Sequence, residues 1–335
     1  MGTRHTNYLK LDCLLRSPGC NRIPALPPYA ISALVYGSIF ALMSVSLTLT
    51  YITTKVPNFA QGALVTAGLY TGFAFLSINK INPYESLPLS FLVGGAIAVG
   101  TYLIVLDPLA KRGASVISLM IATLAVDIIF VGIFGIYSDY LYQVKKVYDA
   151  KLFFALTSAD FRFYGVDGVV VVAPLALALI TAGIYLMLTR TRFGLAMRAT
   201  VENPNLAKVV GVNTKTVYLV SWFLAGGLAG VAGVFYSLWQ GGEPDIGSVL
   251  LISMFAGSIL GGLKSIYGAV VGGLIVGGSE IVVTTLGAQY IGAWVTAYEP
   301  GIPLLVMVIT LLVLPGGIAS LDWRRLATAV RGRRS

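Results

Sequence analysis

The feature that most limits what this chain can fold into is a series of long, continuously apolar stretches almost free of charge. They lie at about 29–53, 58–78, 87–106, 114–138, 169–188, 215–239, 247–263, 266–287 and 301–316. A helix needs about 20 residues to cross a bilayer. Most of the stretches have that length, and 247–263 and 301–316 are marginal. Unbroken apolarity argues for helices rather than the alternating strands of a barrel, and hydrocarbon admits no lipid-exposed loops or open sheet edges. Only 11% of the residues are charged, less than half of the roughly 25% usual in a soluble domain, so the chain cannot coat a water-facing surface. The expected fold class is all-α: a polytopic membrane helical bundle of eight or nine segments, some of them broken or re-entrant.

Around that bundle (29–320) the sequence places an N-terminal tail (1–28) and a basic C-terminal tail (321–335). The formal charge of +9 is gathered beside the apolar segments. That pattern sets orientation and does not read as a nucleic-acid surface, so lipid is an expected partner and nucleic acid is not. The positive-inside rule puts Arg190, Arg192, Arg198, Lys208 and Lys215 in the cytoplasm, together with Lys111, Arg112 and the tail arginines from Arg324 on. The connection 139–168 carries Lys145, Lys146, Lys151 and Arg162 against Asp139, Asp149, Asp160 and Asp167. Those charges nearly cancel, which suits the outside. Counting back from Lys111 puts the N-terminus outside too, in conflict with Arg4, Lys10, Arg16 and Arg22. Either an early segment does not fully cross or the tail departs from the rule. No apolar core with a small-residue cleavage site marks an ordinary signal peptide in the first 28 residues. Cys13 and Cys20 read as incidental thiols, or as a disulfide if the tail faces an oxidising compartment.

Two passages are alike in kind. KVPNFAQGALVTAG (55–68) and GEPDIGSVLLISMFAG (242–257) each set Pro and then Asn or Asp ahead of a glycine-containing apolar run. On the charge-based topology they begin on opposite faces, as inverted repeats do when broken helices face a central pathway. Asn58 and Gln61, beside Gly62, could bind a passing polar group, or they could only cap local backbone. Asp127 and Glu280 lie inside apolar segments, where an ionisable group is costly unless paired or wetted. They read as polar struts or as pathway groups. GGLAG (226–230) and GAVVG (268–272) are close-packing sites.

The polar stretch RATVENPNLAKVVGVNT (198–214) is written as a short bounded helix. Asn203 can cap its first turn and Pro204 suits the first helical position. Leu206, Val209 and Val210 make a narrow apolar stripe, and Gly211 can take the left-handed stop. The spacing predicts about seven helical residues, roughly 10 Å. So short a helix is marginal alone, so it lies on its own bundle or on headgroups, or docks a cytoplasmic partner.

Here the residues resemble a family. ENPNLAKVVGVN resembles the cytoplasmic coupling motif of ABC importer permeases through Glu202, Ala207 and Gly211. LTLTYITTKVPNFAQGALVTAGLY (47–70) is similar to the opening of the branched-chain amino acid permeases, LivH-type, which typically read NFAHG. LDPLAKRGASVISLMIATLA (106–125) is similar to their third-loop signature. GGLKSIYGAVVGGLIVGGSE (261–280) and LLVLPGGI (311–318) resemble their closing segments. The resemblance runs in order from about 29 to 320. Gln61 stands where the family commonly has histidine, which bears on substrate identity, and PGG replaces the usual Pro-x-Gly-Leu.

The resemblance implies a translocation subunit for branched-chain or related amino acids. Its partners would be a second, LivM-like permease, two cytoplasmic ABC ATPase subunits and an extracytoplasmic solute-binding protein. ATPase contact would fall on Arg198, Glu202, Asn203, Pro204, Leu206, Ala207 and Gly211. ATP would be bound by the partners, with no cofactor in this chain. GSILGGLKS (257–265) has one residue too many for a phosphate loop and lies in an apolar segment. A urea or short-amide permease of the same importer class, or an ion-coupled secondary transporter, is the alternative. An enzyme is not expected: the one histidine, His5, is in the tail, and no acidic pair has useful spacing.

Overall fold

A computed structural model of the chain describes residues 27–79, 82–144, 156, 160–163 and 166–320. Expectations for Cys13, Cys20 and His5, for Lys145, Lys146, Asp149 and Lys151, and for the tail from 321 fall outside the described residues. Among those residues, eight helical spans are long and apolar enough to cross a membrane. They are α1 (Pro28–Thr54), α2 (Gln61–Asn79), α3 (Pro83–Lys111, with a π turn at Tyr102–Leu106), α4 (Val116–Gln143), α5 (Gly168–Arg190), α8 (Thr214–Trp239), α10 (Ile266–Tyr290) and α11 (Gly301–Val313, reaching Ser320 through a final short turn). A ninth apolar helix, α9 (Ile246–Gly261), has 16 residues, about 24 Å of rise against a hydrocarbon core of about 30 Å. Between α5 and α8 lie α6 (Arg192–Glu202) and α7 (Pro204–Val209).

Three differences from the sequence reading have simple causes. The bounded helix has six residues rather than about seven, because the turn closes at Val210. Arg198 and Glu202 belong to the separate helix α6, started by the Thr191 hydroxyl, which accepts from the Gly194 N–H at 3.1 Å. Gly194, Met197 and Thr200 then make the buried stripe of α6. Asp139 is in the last turn of α4, not in the loop.

The inner bundle is built on glycine. In α3 and α8, Gly94 meets Gly226 and Ser90 meets Gly230. In α1 and α10, Gly37 meets Leu274 and Ala41 meets Gly273. In both pairs the numbers run in opposite directions, so the helices are antiparallel. A methyl group at Gly226 or Gly230 would overlap a backbone carbonyl of α3, which is how small residues let membrane helices approach. GGLAG and GAVVG are therefore packing sites, the latter through Gly268 on Gly261 and Gly272 on Gly257. Hydroxyls add polar links: Ser44 Oγ donates to the Met254 carbonyl (3.3 Å), Thr48 Oγ1 to Ser258 Oγ (3.0 Å), and Ser258 Oγ to the Ser44 carbonyl (2.9 Å), joining α1 to α9.

Val45, Leu49, Ile184, Met197, Val217 and Ile266 pack in one cluster. The ends of α1 and α5, the start of α8 and the start of α10 thus lie on one face, the one that carries the basic residues Arg190, Arg192, Arg198, Lys208 and Lys215. On the other face the Tyr84 hydroxyl donates to Asp160 Oδ1 at 2.8 Å, and Asp160 Oδ2 accepts from the Val169 N–H at 2.9 Å, closing the first turn of α5. A two-residue β-pairing, Arg162–Phe163 against Val166–Asp167, stands beside it.

Candidate functional site

Two places gather the residues singled out from the sequence. The first is the corner α6–α7, on the face of the basic loops. The Asn203 side-chain oxygen accepts from the N–H groups of Asn205 and Leu206, each at 3.1 Å, supplying the cap that the first turn lacks. At the other end the Val212 N–H donates to the Ala207 carbonyl (2.9 Å) and the Gly211 N–H to the Lys208 carbonyl (3.1 Å), with Gly211 at φ 86. This paired closure uses a left-handed residue that glycine adopts without strain. One side of α7 is tied down: Ala207 is 2% exposed. The apolar stripe is not, since Leu206, Val209 and Val210 are 60%, 82% and 69% exposed. Arg198 and Glu202 are exposed on α6, and Arg198 Nε donates to the Gly194 carbonyl at 3.4 Å. The spacing found this helix; the amphipathic α6 before it was missed, although Thr191, Gly194, Met197 and Thr200 carried its signal.

The second place lies inside the bundle. After α1 the chain turns at Lys55, a left-handed residue with φ 55, and re-enters before α2 begins. Gln61, fully buried, donates from Nε2 to Ser46 Oγ at 3.0 Å, well back along α1 from its end at Thr54. α2 therefore starts within the bundle. α9 starts there as well, because Gly62 and Gly247 touch backbone to backbone, and a methyl group on either would overlap the other's carbonyl. Leu69 lies against Gly242, so the two segments pass in opposite directions and their helices run from the crossing to opposite faces. These are the two passages that the sequence paired, and their opposed starts are those of an inverted arrangement.

The unpaired donors of the two first turns are met from neighbouring helices. The Ala63 N–H donates to Asp127 Oδ1 at 3.1 Å, and Ser248 Oγ donates to Asp127 Oδ2 at 2.6 Å. The Phe59 N–H donates to Thr123 Oγ1 and the Gly247 N–H to Thr66 Oγ1, both at 3.1 Å. Asn58 Nδ2 donates to Gln61 Oε1 at 2.9 Å, while its own oxygen accepts from the Ala60 N–H at 3.2 Å. Asn58, Gln61, Gly62 and Asp127 thus come together, all buried. Glu280, 4% exposed on α10, stands in another network, accepting from Ser253 Oγ of α9 at 3.2 Å. Sequence reasoning missed Thr66, Thr123 and Ser248, because a lone hydroxyl in an apolar run carries no signal of its partner.

A glycine-packed helical bundle, with opposed half-helices at its centre and a capped helix on the face of its basic loops, defines a multi-pass membrane protein of the permease class. The chain belongs to the family described as branched-chain amino acid transport system / permease component, whose model matches residues 29–311. It is 44% identical over 294 residues to the probable branched-chain amino acid transport permease protein LivH of Methanocaldococcus jannaschii, covering 88% of this chain and 92% of that one. It is 25% identical over 292 residues to the high-affinity LivH permease protein of Escherichia coli, covering 84% and 91%. Among solved structures it resembles PsaBC from Streptococcus pneumoniae in complex with Fab, with a TM-score of 0.50 at 12% identity over 92% of this chain and 97% of that one. That likeness concerns the fold.

Proposed function

We propose that this chain is a membrane-spanning permease subunit of an ATP-binding-cassette importer that carries branched-chain amino acids inward. It would pair with a second permease of the LivM kind, two cytoplasmic ATPases and an extracytoplasmic solute-binding protein. ATP binds the ATPases, and this chain supplies the pathway. The observation that carries the reading is the α7 stripe: Leu206, Val209 and Val210 exposed on a helix capped at both ends. A short helix held rigid at its ends and left apolar outward suits a protein partner better than water. In this reading α7 is the docking element, with Arg198, Glu202, Asn203, Pro204, Ala207 and Gly211 shaping its seat. Only four residues separate Val209 from the start of α8 at Thr214, so movement of α7 reaches the bundle with little slack. The solute is the one named for the relatives, which align along most of their length.

The test is transport by the complete complex in proteoliposomes. ATP-dependent leucine, isoleucine and valine uptake that needs the ATPases and the binding protein is expected. Uptake by the isolated chain down an ion gradient, with no ATPase present, would refute the reading.

A further inference from the structure

We propose that Asp127 is a positioning residue of transport: its carboxylate fastens the first turns of the two opposed half-helices, α2 and α9, so that they move together. The proposal rests on the importer reading and adds to it how motion crosses the bundle. Asp127 comes from a third helix, α4, and is 3% exposed. Each of its oxygens serves a different half-helix, Oδ1 taking the Ala63 N–H of α2 and Oδ2 the Ser248 hydroxyl of α9. The crossing itself is backbone against backbone at Gly62 and Gly247. Beside it Leu251 lies against Gly62 and Leu69 against Gly242, apolar contacts that fill space but fix no direction. The polar bonds across the crossing, two accepted by Asp127 and one accepted by Thr66 Oγ1 from the Gly247 N–H, add the directional ties that apolar contact lacks.

The route explains why this fastening matters. α8 follows α7 directly and packs on α2, with Gly68 against Gly230 and Val65 against Gly233. The broad contacts of α9 are with α1, α2, α10 and α11, and α8 is not among them. Its cytoplasmic half is tied to α1 at Ser44 and Thr48. Its inner end is held by Asp127 and Thr66. α8 also packs on α1, so a push on α8 reaches the cytoplasmic half of α9 through α1 and its inner end through α2 and the Asp127 bridge.

The experiment compares Asp127→Ala, Asp127→Asn and Ser248→Ala with wild type in the complete reconstituted complex. Leucine uptake and ATP hydrolysis are read together. Asp127→Ala should lower maximal uptake about tenfold with an unchanged KM for leucine while hydrolysis continues, so that more ATP is used per leucine. Asp127→Asn keeps one accepting oxygen and should fall between. Ser248→Ala, which removes one hydroxyl from a half-buried site, should shift the ratio the same way by less. It decides the matter if Asp127→Ala does not assemble. Hydrogen exchange on the wild-type and variant chains should show the amides of 61–66 and 247–252 loosening together. Wild-type uptake and ATP use per leucine in the variants would overturn the proposal. So would a change confined to KM, which would make Asp127 a solute contact, or loosening of one half-helix alone. A wild-type complex that moves no leucine on ATP would refute the importer reading instead, and the exchange result would still decide the fastening.

Discussion

At the scale of single residues, position rather than residue type decides what a substitution does. Ala207 and Val209 sit two apart on α7, yet one is buried and the other is 82% exposed. Val209→Asp therefore leaves the packing of α7 untouched. It should insert and melt like wild type while uptake by the complex falls at least about tenfold, the loss expected when an apolar contact worth about 1.4 kcal/mol or more becomes a charge in an interface. Ala207→Asp buries a carboxylate and should instead lower stability, a difference that thermal melts in detergent separate from a docking defect. Gly62→Ala has a third character. Its methyl group would meet the Gly247 carbonyl, so a cost of about 1–3 kcal/mol from overpacking is expected, visible as a lower melting temperature with no change confined to the cytoplasmic face. All three positions were marked in the sequence, Ala207 through the coupling motif, Val209 through the apolar stripe and Gly62 through its place in a broken run. Burial, which assigns each its effect, depends on what stands opposite and is not written locally.

At the scale of elements, helix ends carry most of the information. α7 exists because Asn203 accepts from two N–H groups and Gly211 closes the far end. Both devices act within four residues of themselves, which is why the sequence showed them. Asn203→Ala should cost about 1 kcal/mol of local stability and raise hydrogen exchange in 204–212 while the spanning helices stay protected. The two half-helices were legible only in part. Asn58 caps its own turn locally, through the Ala60 N–H, as its place in the passage suggested. Asp245, the matching residue before α9, makes no such side-chain cap. Its place is taken by Thr66 from α2, which accepts from the Gly247 N–H across 181 residues of sequence. A cap delivered from another helix has no local signature.

At the scale of the whole molecule, the contacts repeat in inverted order. α1 packs on α10 and α8 on α3, each pair through glycines, while α2 and α9 meet at the centre. Exchanging α1 with α8, α2 with α9 and α3 with α10 leaves this pattern unchanged, as expected for two halves related by a pseudo-two-fold axis in the membrane plane. With α9 counted as a segment, the described helices begin on the face opposite the basic loops and end on the face that carries them, the one expected in the cytoplasm. The sidedness can be checked in a Cys13→Ser, Cys20→Ser background. A cysteine at Val209 should react with an impermeant maleimide only in inside-out vesicles, and one at Trp294, exposed after α10, only in intact cells. The reverse labelling would overturn the orientation.

What the sequence determined by itself was the solvent and the local stops: a bilayer, because there is too little charge for water, and the bounded α7, because capping is decided within a turn. It also showed where apolar runs break, since Pro, Asn, Asp and Gly act on their immediate neighbours. Only the tertiary structure decided that the two breaks meet, that Gly62 faces Gly247, and that Asp127 serves both. The reason is range. A hydrogen bond or a backbone contact needs its partner within a few ångströms, and in a bundle that partner comes from whichever helix packs there, a fact held by the packing of the whole chain and not by any stretch of it.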